Sequence, residues 1–341
     1  MAEWALEEVM SGRATSAQIA ALLMGLKVKG ETASEVIGFI EVMYRHAKRV
    51  DFSGRAVDCV GTGGDGANTI NISTTSAIVA AAAGATVIKH GSRAASSQSG
   101  SADVLVALGV ATELDGEGVA RCATELGIGF CFAPTFHPAM KNVAQTRREM
   151  GVTTVFNIVG PLSNPAQPKA QAIGVADLRW LSVVADVLAA RGTDALVFRG
   201  DDGLDELTLS TTSTVYLVAN GEAVMARLDP LELGIARAPR SALAGGAAAE
   251  NAAATRAVLA GELGPHRDAI LLNTAATLAA FHAPTQRGMS LNDRIQAGVV
   301  AGANAIDSGA ANALLERWIE LSQSLLNRHP ERPAPLATNF E

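Results

Sequence analysis

DCVGTGGDGANTINIST, residues 58 to 74, starts as a strand and ends as a helix, with Gly61, Gly63, Gly64 and Gly66 crowded into the turn between them. Without Cβ atoms, backbone N–H groups can close on an anion at a helix N-terminus, so the segment reads as a phosphate cradle. Four glycines after a strand would also serve as a plain tight turn. A Walker A loop needs Gly-Lys-Ser/Thr, and the spacing here does not fit GxGxxG either. The neighbours favour a ligand. Asp65 can accept from ribose hydroxyls, Thr69, Asn71 and Thr74 can donate to phosphate, and the Ser73 hydroxyl suits a hard cation such as magnesium.

Outward from this loop, VDCV predicts a strand, the Ala-rich run after Ile72 a helix, and Thr86 to Ile88 a second strand, a β-loop-α-β unit. A second polar cluster follows: KHGSRAASS from Lys89, then Ser99, Gly100, Ser101 and Asp103. Its two cations and several hydroxyls suit a pyrophosphate. A third, GDDGLDE from Gly200, places Asp201, Asp202, Asp205 and Glu206 directly after the apolar strand ALVF. Four such carboxylates repel unless cations hold them, and magnesium shared with a pyrophosphate would unite the three clusters.

Farther out, residues 1 to 50 read as helices only. Thr15 with Gln18, and Thr32 with Glu35, are set for capping boxes. AQAIGV, a helix near Leu178 to Arg191, and ALVFRG continue the alternation, and VYLVANGEAVMARL adds a hairpin at Asn220-Gly221. Beyond Gly245-Gly246 the chain is mainly helical, with helix starts expected at Ser290 and at Asp307-Ser308. Its last eleven residues, 331–341, read as a coil tail. The expected architecture is α/β: a small all-helical N-terminal domain (1–50, joined by helices within about 138–152) and a larger domain (53–137 and 153–330) with a mostly parallel central sheet surrounded by helices.

Composition narrows the function. A net charge of −7 speaks against a nucleic-acid-binding surface. Cys59, Cys122 and Cys131 lack metal-ligand spacing and read as buried, reduced thiols of a cytosolic protein. The acidic start, with Glu3, Glu7 and Glu8, is unlike a signal peptide, and the longest nearly apolar stretch, Ala77 to Ile88, is too short to span a bilayer. No membrane or nucleic-acid partner is expected.

GTGGDGANTINIST, KHGSRAASS, HPAMKNVAQTRREMGVTTVFNIVGPLSNP and DDGLDE occur in one order and approximate spacing. In these motifs, over almost its whole length, the chain resembles the anthranilate phosphoribosyltransferase family of tryptophan biosynthesis. The resemblance implies the fold shared with pyrimidine nucleoside phosphorylases and a homodimer formed through the helical domain. It implies a phosphoribosyl pyrophosphate (PRPP) site of Gly61, Gly64, Asp65, Thr69, Asn71, Ile72, Ser73, Thr74, Lys89, His90, Gly91, Ser92, Arg93, Ala94, Ala95, Ser96, Ser97 and Ser101. Anthranilate contacts would come from Gly61, Ser92 and Arg147, and magnesium ligands from Ser73, Asp205 and Glu206, with two ions, one or both arriving with PRPP.

The reaction it implies is attack of the arylamine on the anomeric carbon, with inversion and loss of pyrophosphate. No general base is assigned; His90 is the nearest titratable group, and a ring packed under the loop is the other reading of it. For Arg147 the other reading is a helix-surface salt bridge. Two positions depart from the family pattern: Ser92 stands where the family has Asn, and Arg199 where it often has His. Ser92 opens an alternative acceptor, a substituted anthranilate or another aromatic amine. A non-catalytic relative that binds nucleic acid is a further alternative, which the net charge and the intact loops oppose.

Overall fold

The computed structural model describes residues 1–94 and 98–327; Ala95, Ser96, Ser97 and the expected tail over 331–341 lie outside the described residues. The chain opens with α1 (Ala2–Met10), α2 (Ser16–Lys29) and α3 (Ala33–His46). Both capping boxes form. Thr15 Oγ1 accepts from Gln18 N while Thr15 N donates to Gln18 Oε1 at 2.9 Å, and Thr32 and Glu35 repeat the exchange. Each box satisfies two N–H groups that a helix start leaves without partners.

The larger part begins with β1 (Val57–Gly61), α4 (Ile72–Ala82), β2 (Val87–Gly91), α5 (Ser101–Leu108), α6 (Gly116–Leu126) and β3 (Ile128–Phe132). Next come α7 (Ala133–Phe136), α8 (Lys141–Met150), α9 (Phe156–Leu162), β4 (Ala170–Gly174), α10 (Leu178–Ala190) and β5 (Asp194–Gly200). The hairpin β6 (Ser213–Ala219) and β7 (Glu222–Leu228) turns at Asn220-Gly221 as expected, and α11 (Ala248–Leu259), α12 (Pro265–Phe281), α13 (Leu291–Asp307) and α14 (Ala310–Asn327) follow.

The strands form one sheet in the order β3-β2-β1-β4-β5-β6-β7, parallel from β3 through β5 and antiparallel across the hairpin. After β1 the chain steps outward to β2 and β3, then returns to lay β4 on the other side of β1. The strand order therefore reverses between β1 and β4, and the crevice at the carboxyl ends of strands at such a point is where open α/β sheets bind ligands.

Alternate strand residues feed two cores. Val57, Cys59, Leu196 and Phe198 pack with α4 and α12, whereas Ile173, Ala195 and Val197 pack with Trp180, Leu181 and Val184 of α10. That second core runs on into Phe39, Ile40 and Met43 of α3, Val143 of α8 and Phe156 of α9. The N-terminal helices thus share continuous apolar packing with one face of the sheet, and α8 lies against α1 and α2.

Two expectations need correction. The second strand runs Val87–Gly91 rather than ending near Ile88, because pairing with β3 (Lys89 with Phe130, His90 with Cys131) carries it on. Asp307-Ser308 does not start a helix: α13 still holds Asp307, Ser308 N donates to Asn304 O at 3.0 Å, and α14 begins at Ala310. All three cysteines are free and buried. Among the described residues no helix is long and apolar enough to cross a membrane.

Candidate active site

The carboxyl ends of β1 and β4 are roofed by Asp205. A Cβ on Gly174 would overlap the Asp205 carbonyl oxygen, and one on Gly61 would overlap its carboxylate, so only glycine lets the acidic loop lie this close. Asp205 Oδ2 accepts from Gly63 N at 2.7 Å, which ties the loop after β5 to the loop after β1. Beneath and beside this contact opens a cavity of about 500 Å³.

Gly63, Gly64 and Gly66 all have positive φ, between 66° and 85°, so the glycine-rich loop makes turns that side chains would resist. It then delivers the chain to the N-terminus of α4, where Ile72, Ser73 and Thr74 line the cavity. The free N–H groups and positive dipole end of that helix favour an anion. Thr74 Oγ1 is buried and has no partner among the described residues. Thr69 bridges to Ala244, and Ile70 N donates to Leu243 O at 2.9 Å. Asn71 is partly spent inside the protein: Nδ2 donates to Ser99 O at 3.1 Å, and Oδ1 accepts from Asn251 Nδ2 at 2.7 Å.

Lys89, being in the strand, is buried under the loop. Its ammonium donates to Cys59 O and, at 3.2 Å, to Ser73 Oγ. Nearby, burial foremost and then the Asp65 charge push Asp205 up to about 7. Burial and Asp205 raise Glu206 well above the usual carboxylate range, against a smaller opposing pull from Lys89. Acids this strained toward protonation are short of positive charge, and a divalent cation would relieve them. No three His, Cys, Asp or Glu side chains among the described residues are arranged to hold a metal alone. Ser73, Asp205 and Glu206 could hold an ion that would complete its shell with substrate oxygens and water, the habit of magnesium.

Across the cavity stands Arg147 of α8, its guanidinium 5.3 Å from the centre of the Phe156 ring. Burial lowers its pKa, and among the described residues it makes no ion pair, so the surface-salt-bridge reading falls. Ser92 and Arg93 are exposed at the cavity mouth; Arg93 sits 5.9 Å over Phe132 and 3.9 Å from Glu113. Ser101 Oγ donates to Ser92 O at 3.3 Å, and Asp103 accepts from Ala94 N and Gly100 N, folding this loop onto the start of α5. His90 is buried, its ring 5.2 Å from that of His137. Burial and then His137 depress it to about 3, so it is neutral and packed beneath the loop.

Every described residue expected at the site lines this one cavity: Gly61, Gly64, Asp65, Thr69, Asn71, Ile72, Ser73, Thr74, Lys89, His90, Gly91, Ser92, Arg93, Ala94, Ser101, Arg147, Asp205 and Glu206. The four-carboxylate reading of the third cluster is corrected. Asp201 is held by Thr212, Thr214 and Arg227, and Asp202 by Thr208 and Ser210, so both buttress the loop and only Asp205 and Glu206 reach the cavity. Ala133, Phe156, Asn157, Gly160 and Pro161 also line it and were not singled out. All but Ala133 lie in VFNIVGPLSNP, but nothing local shows that α8 and α9 fold back over the β1 loop.

Comparison with known proteins shows the family. The glycosyl transferase family helical bundle domain matches residues 1–47, and the glycosyl transferase family a/b domain matches residues 53–312. An anthranilate phosphoribosyltransferase of Rhodococcus opacus is 56% identical over 324 residues, 95% of this chain and 89% of that one. The crystal structure of the Thermus thermophilus anthranilate phosphoribosyltransferase superposes with a TM-score of 0.87 at 41% identity, covering 94% of each chain. The Saccharomyces cerevisiae enzyme in complex with PRPP and Mg gives 0.81 at 29% identity, covering 91% of this chain and 86% of that one. With its helical unit, its switch-point cavity and these relatives, the chain belongs to the anthranilate phosphoribosyltransferase family of glycosyl transferases.

Proposed function

We propose that this protein transfers the phosphoribosyl group of PRPP to the amine of anthranilate, giving N-(5-phosphoribosyl)anthranilate and pyrophosphate in tryptophan biosynthesis. The observation that carries the reading is the single cavity shared by the glycine-rich loop, the acidic pair Asp205 and Glu206, and Arg147, which makes no ion pair among the described residues. The glycine-loop amides and the α4 N-terminus bind the pyrophosphate, and Asp65 accepts from the ribose. Ser73, Asp205 and Glu206 would hold magnesium, as two ions of which one or both would enter with PRPP. Bound there, magnesium supplies positive charge against the leaving pyrophosphate.

Lys89 fixes Ser73 from below and adds its own charge to the field of the site. Arg147 neutralises the acceptor carboxylate, and its stacking on Phe156 holds the guanidinium in place. With a good leaving group, the protein's main work is to hold amine and anomeric carbon in line and keep water out. His90, neutral and packed, orients the loop and moves no proton in this reading. The same reading divides the chain into the helical domain and the larger PRPP-binding domain, and includes residence in the cytosol and a homodimer through the helical domain.

Ser92 supports a second acceptor. It stands exposed at the cavity mouth with a side chain shorter than the family's Asn, leaving room for a substituent on the aromatic ring. Steady-state rates with anthranilate and ring-substituted anthranilates, at fixed PRPP and magnesium, test both readings. A kcat/KM for anthranilate equal to or above the analogues supports the first. A value far below one analogue replaces the acceptor, and no turnover with any of them sinks the transfer itself.

A further inference from the structure

Lys27 lies on α2, outside the cavity, yet its ammonium reaches across 126 residues of sequence to donate to both Thr153 O and Thr153 Oγ1 at 2.9 Å. Among the described residues these are the hydrogen bonds Thr153 makes. Thr153 belongs to an exposed stretch, 151–153, between α8, which carries Arg147, and α9, which begins with Phe156 and Asn157. Its methyl group faces the glycine-rich loop, 3.9 Å from where a Cβ on Gly64 would stand.

The next residue continues the chain of contacts. Thr154 N donates to Asn157 Oδ1 at 3.0 Å, and Asn157 N donates to Thr154 O at 2.8 Å, which fixes a side chain that lines the cavity. Gly151 N closes α8 on Arg147 O at 3.2 Å. Both ends of the 151–155 link thus carry cavity residues, while its exposed middle is tied down from a different element. Nearby Asp177 feels the Lys27 charge but is hydrogen-bonded to Arg179, at 2.6 Å, so the hydrogen bonds of Lys27 go to Thr153.

We infer that Lys27 is a positioning residue that sets the acceptor wall, Arg147 with Phe156 and Asn157, against the PRPP loop by pinning Thr153. A charge-assisted donor with two acceptors is stronger than a neutral hydrogen bond, and losing it frees the middle of the link without emptying a core. The inference rests on the proposed transfer for its kinetic consequence and on the geometry alone for its dynamic one, so the two are tested separately.

Amide exchange is measured first, without substrates. Lys27→Met is expected to speed exchange at Thr154 and Asn157 about tenfold while the β1, β4 and β5 amides stay unchanged, and Lys27→Arg to restore protection. In turnover, Lys27→Met is expected to raise the KM for the aromatic acid about fivefold, with kcat and the KM for PRPP within about twofold, and Lys27→Arg to recover most of it. Unchanged exchange at Thr154 and Asn157 overturns the inference. So does an equal rise in both KM values or faster exchange throughout the sheet, because either makes Lys27 a general stabiliser. A wild-type protein without transferase activity would refute the proposed function and leave the exchange result to decide on Lys27.

Discussion

At the scale of single residues, the site is a balance of charges that cannot all be satisfied by the protein. Asp205 and Glu206 are held where both prefer a proton, and Lys89 offsets only part of the cost. Asp205→Asn combined with Glu206→Gln should therefore leave the fold intact and lower turnover by about a thousandfold or more, if their function is to hold magnesium. Near-normal kcat at saturating substrates and ordinary magnesium would refute the assignment. Arg147 stands on the other side of the same balance, a cation with an aromatic ring and no counter-ion among the described residues. Arg147→Ala is expected to raise the KM for the aromatic acid at least about tenfold more than that for PRPP, the loss of one charge-assisted pair. Equal effects on the two would remove it from the acceptor pocket.

At the scale of elements, the glycine-rich loop keeps its shape because helices remote in sequence hold it. Asn251 of α11 donates to Asn71 Oδ1 and accepts from Gly246 N at 2.8 Å, so one buried amide ties the start of α4 to the chain entering α11. Asn251→Ala would leave both partners unsatisfied and should cost about 1–3 kcal/mol in urea unfolding, with a raised KM for PRPP as the loop loosens. A neutral result would show that water replaces the amide.

The same elements show what was legible in the chain. The β1-loop-α4 unit could be read because its signals are local: an apolar run, a glycine cluster, then helical periodicity. For His90 the sequence leaves a packed ring and a titrating one both open, and the burial of Lys89 is not legible at all, because both depend on pairing with β3, some forty residues on. Asp201 and Asp202 looked equal to Asp205 and Glu206 until the 208–214 segment supplied them with hydroxyl partners. Phe156 and Asn157 were hidden for a related reason, since only the fold-back of α8 and α9 brings them to the cavity.

At the scale of the whole molecule, the helical unit and one sheet face share a core, and the chain at the end of α9 packs against β1 and β2 with a set of titratable groups sealed beneath it. His137 is buried, with Nε2 donating to Ser163 O at 2.9 Å, and burial depresses it to about 4; His90 beside it is depressed to about 3. Asp58, buried in β1 and bonded to His90 N and Asn164 Nδ2, is pushed up to about 6 by desolvation. Their effects on stability have opposite signs. Between about pH 4 and 6.5 the unfolded chain binds a proton at each of these histidines that the native state refuses, so stability falls on acidification by about 1.4 kcal/mol per pH unit for each. Between about pH 4 and 6 the native state binds a proton at Asp58 that the unfolded chain does not, which raises stability on acidification by the same slope. Two against one leaves these groups a net loss toward acid. His137→Gln should flatten the dependence of unfolding free energy on pH by about 1.4 kcal/mol per unit in that window, and Asp58→Asn should steepen it by as much. The check is urea unfolding at half-unit intervals from pH 4 to 7, and an unchanged slope in His137→Gln would mean that His137 takes up its proton in the folded protein.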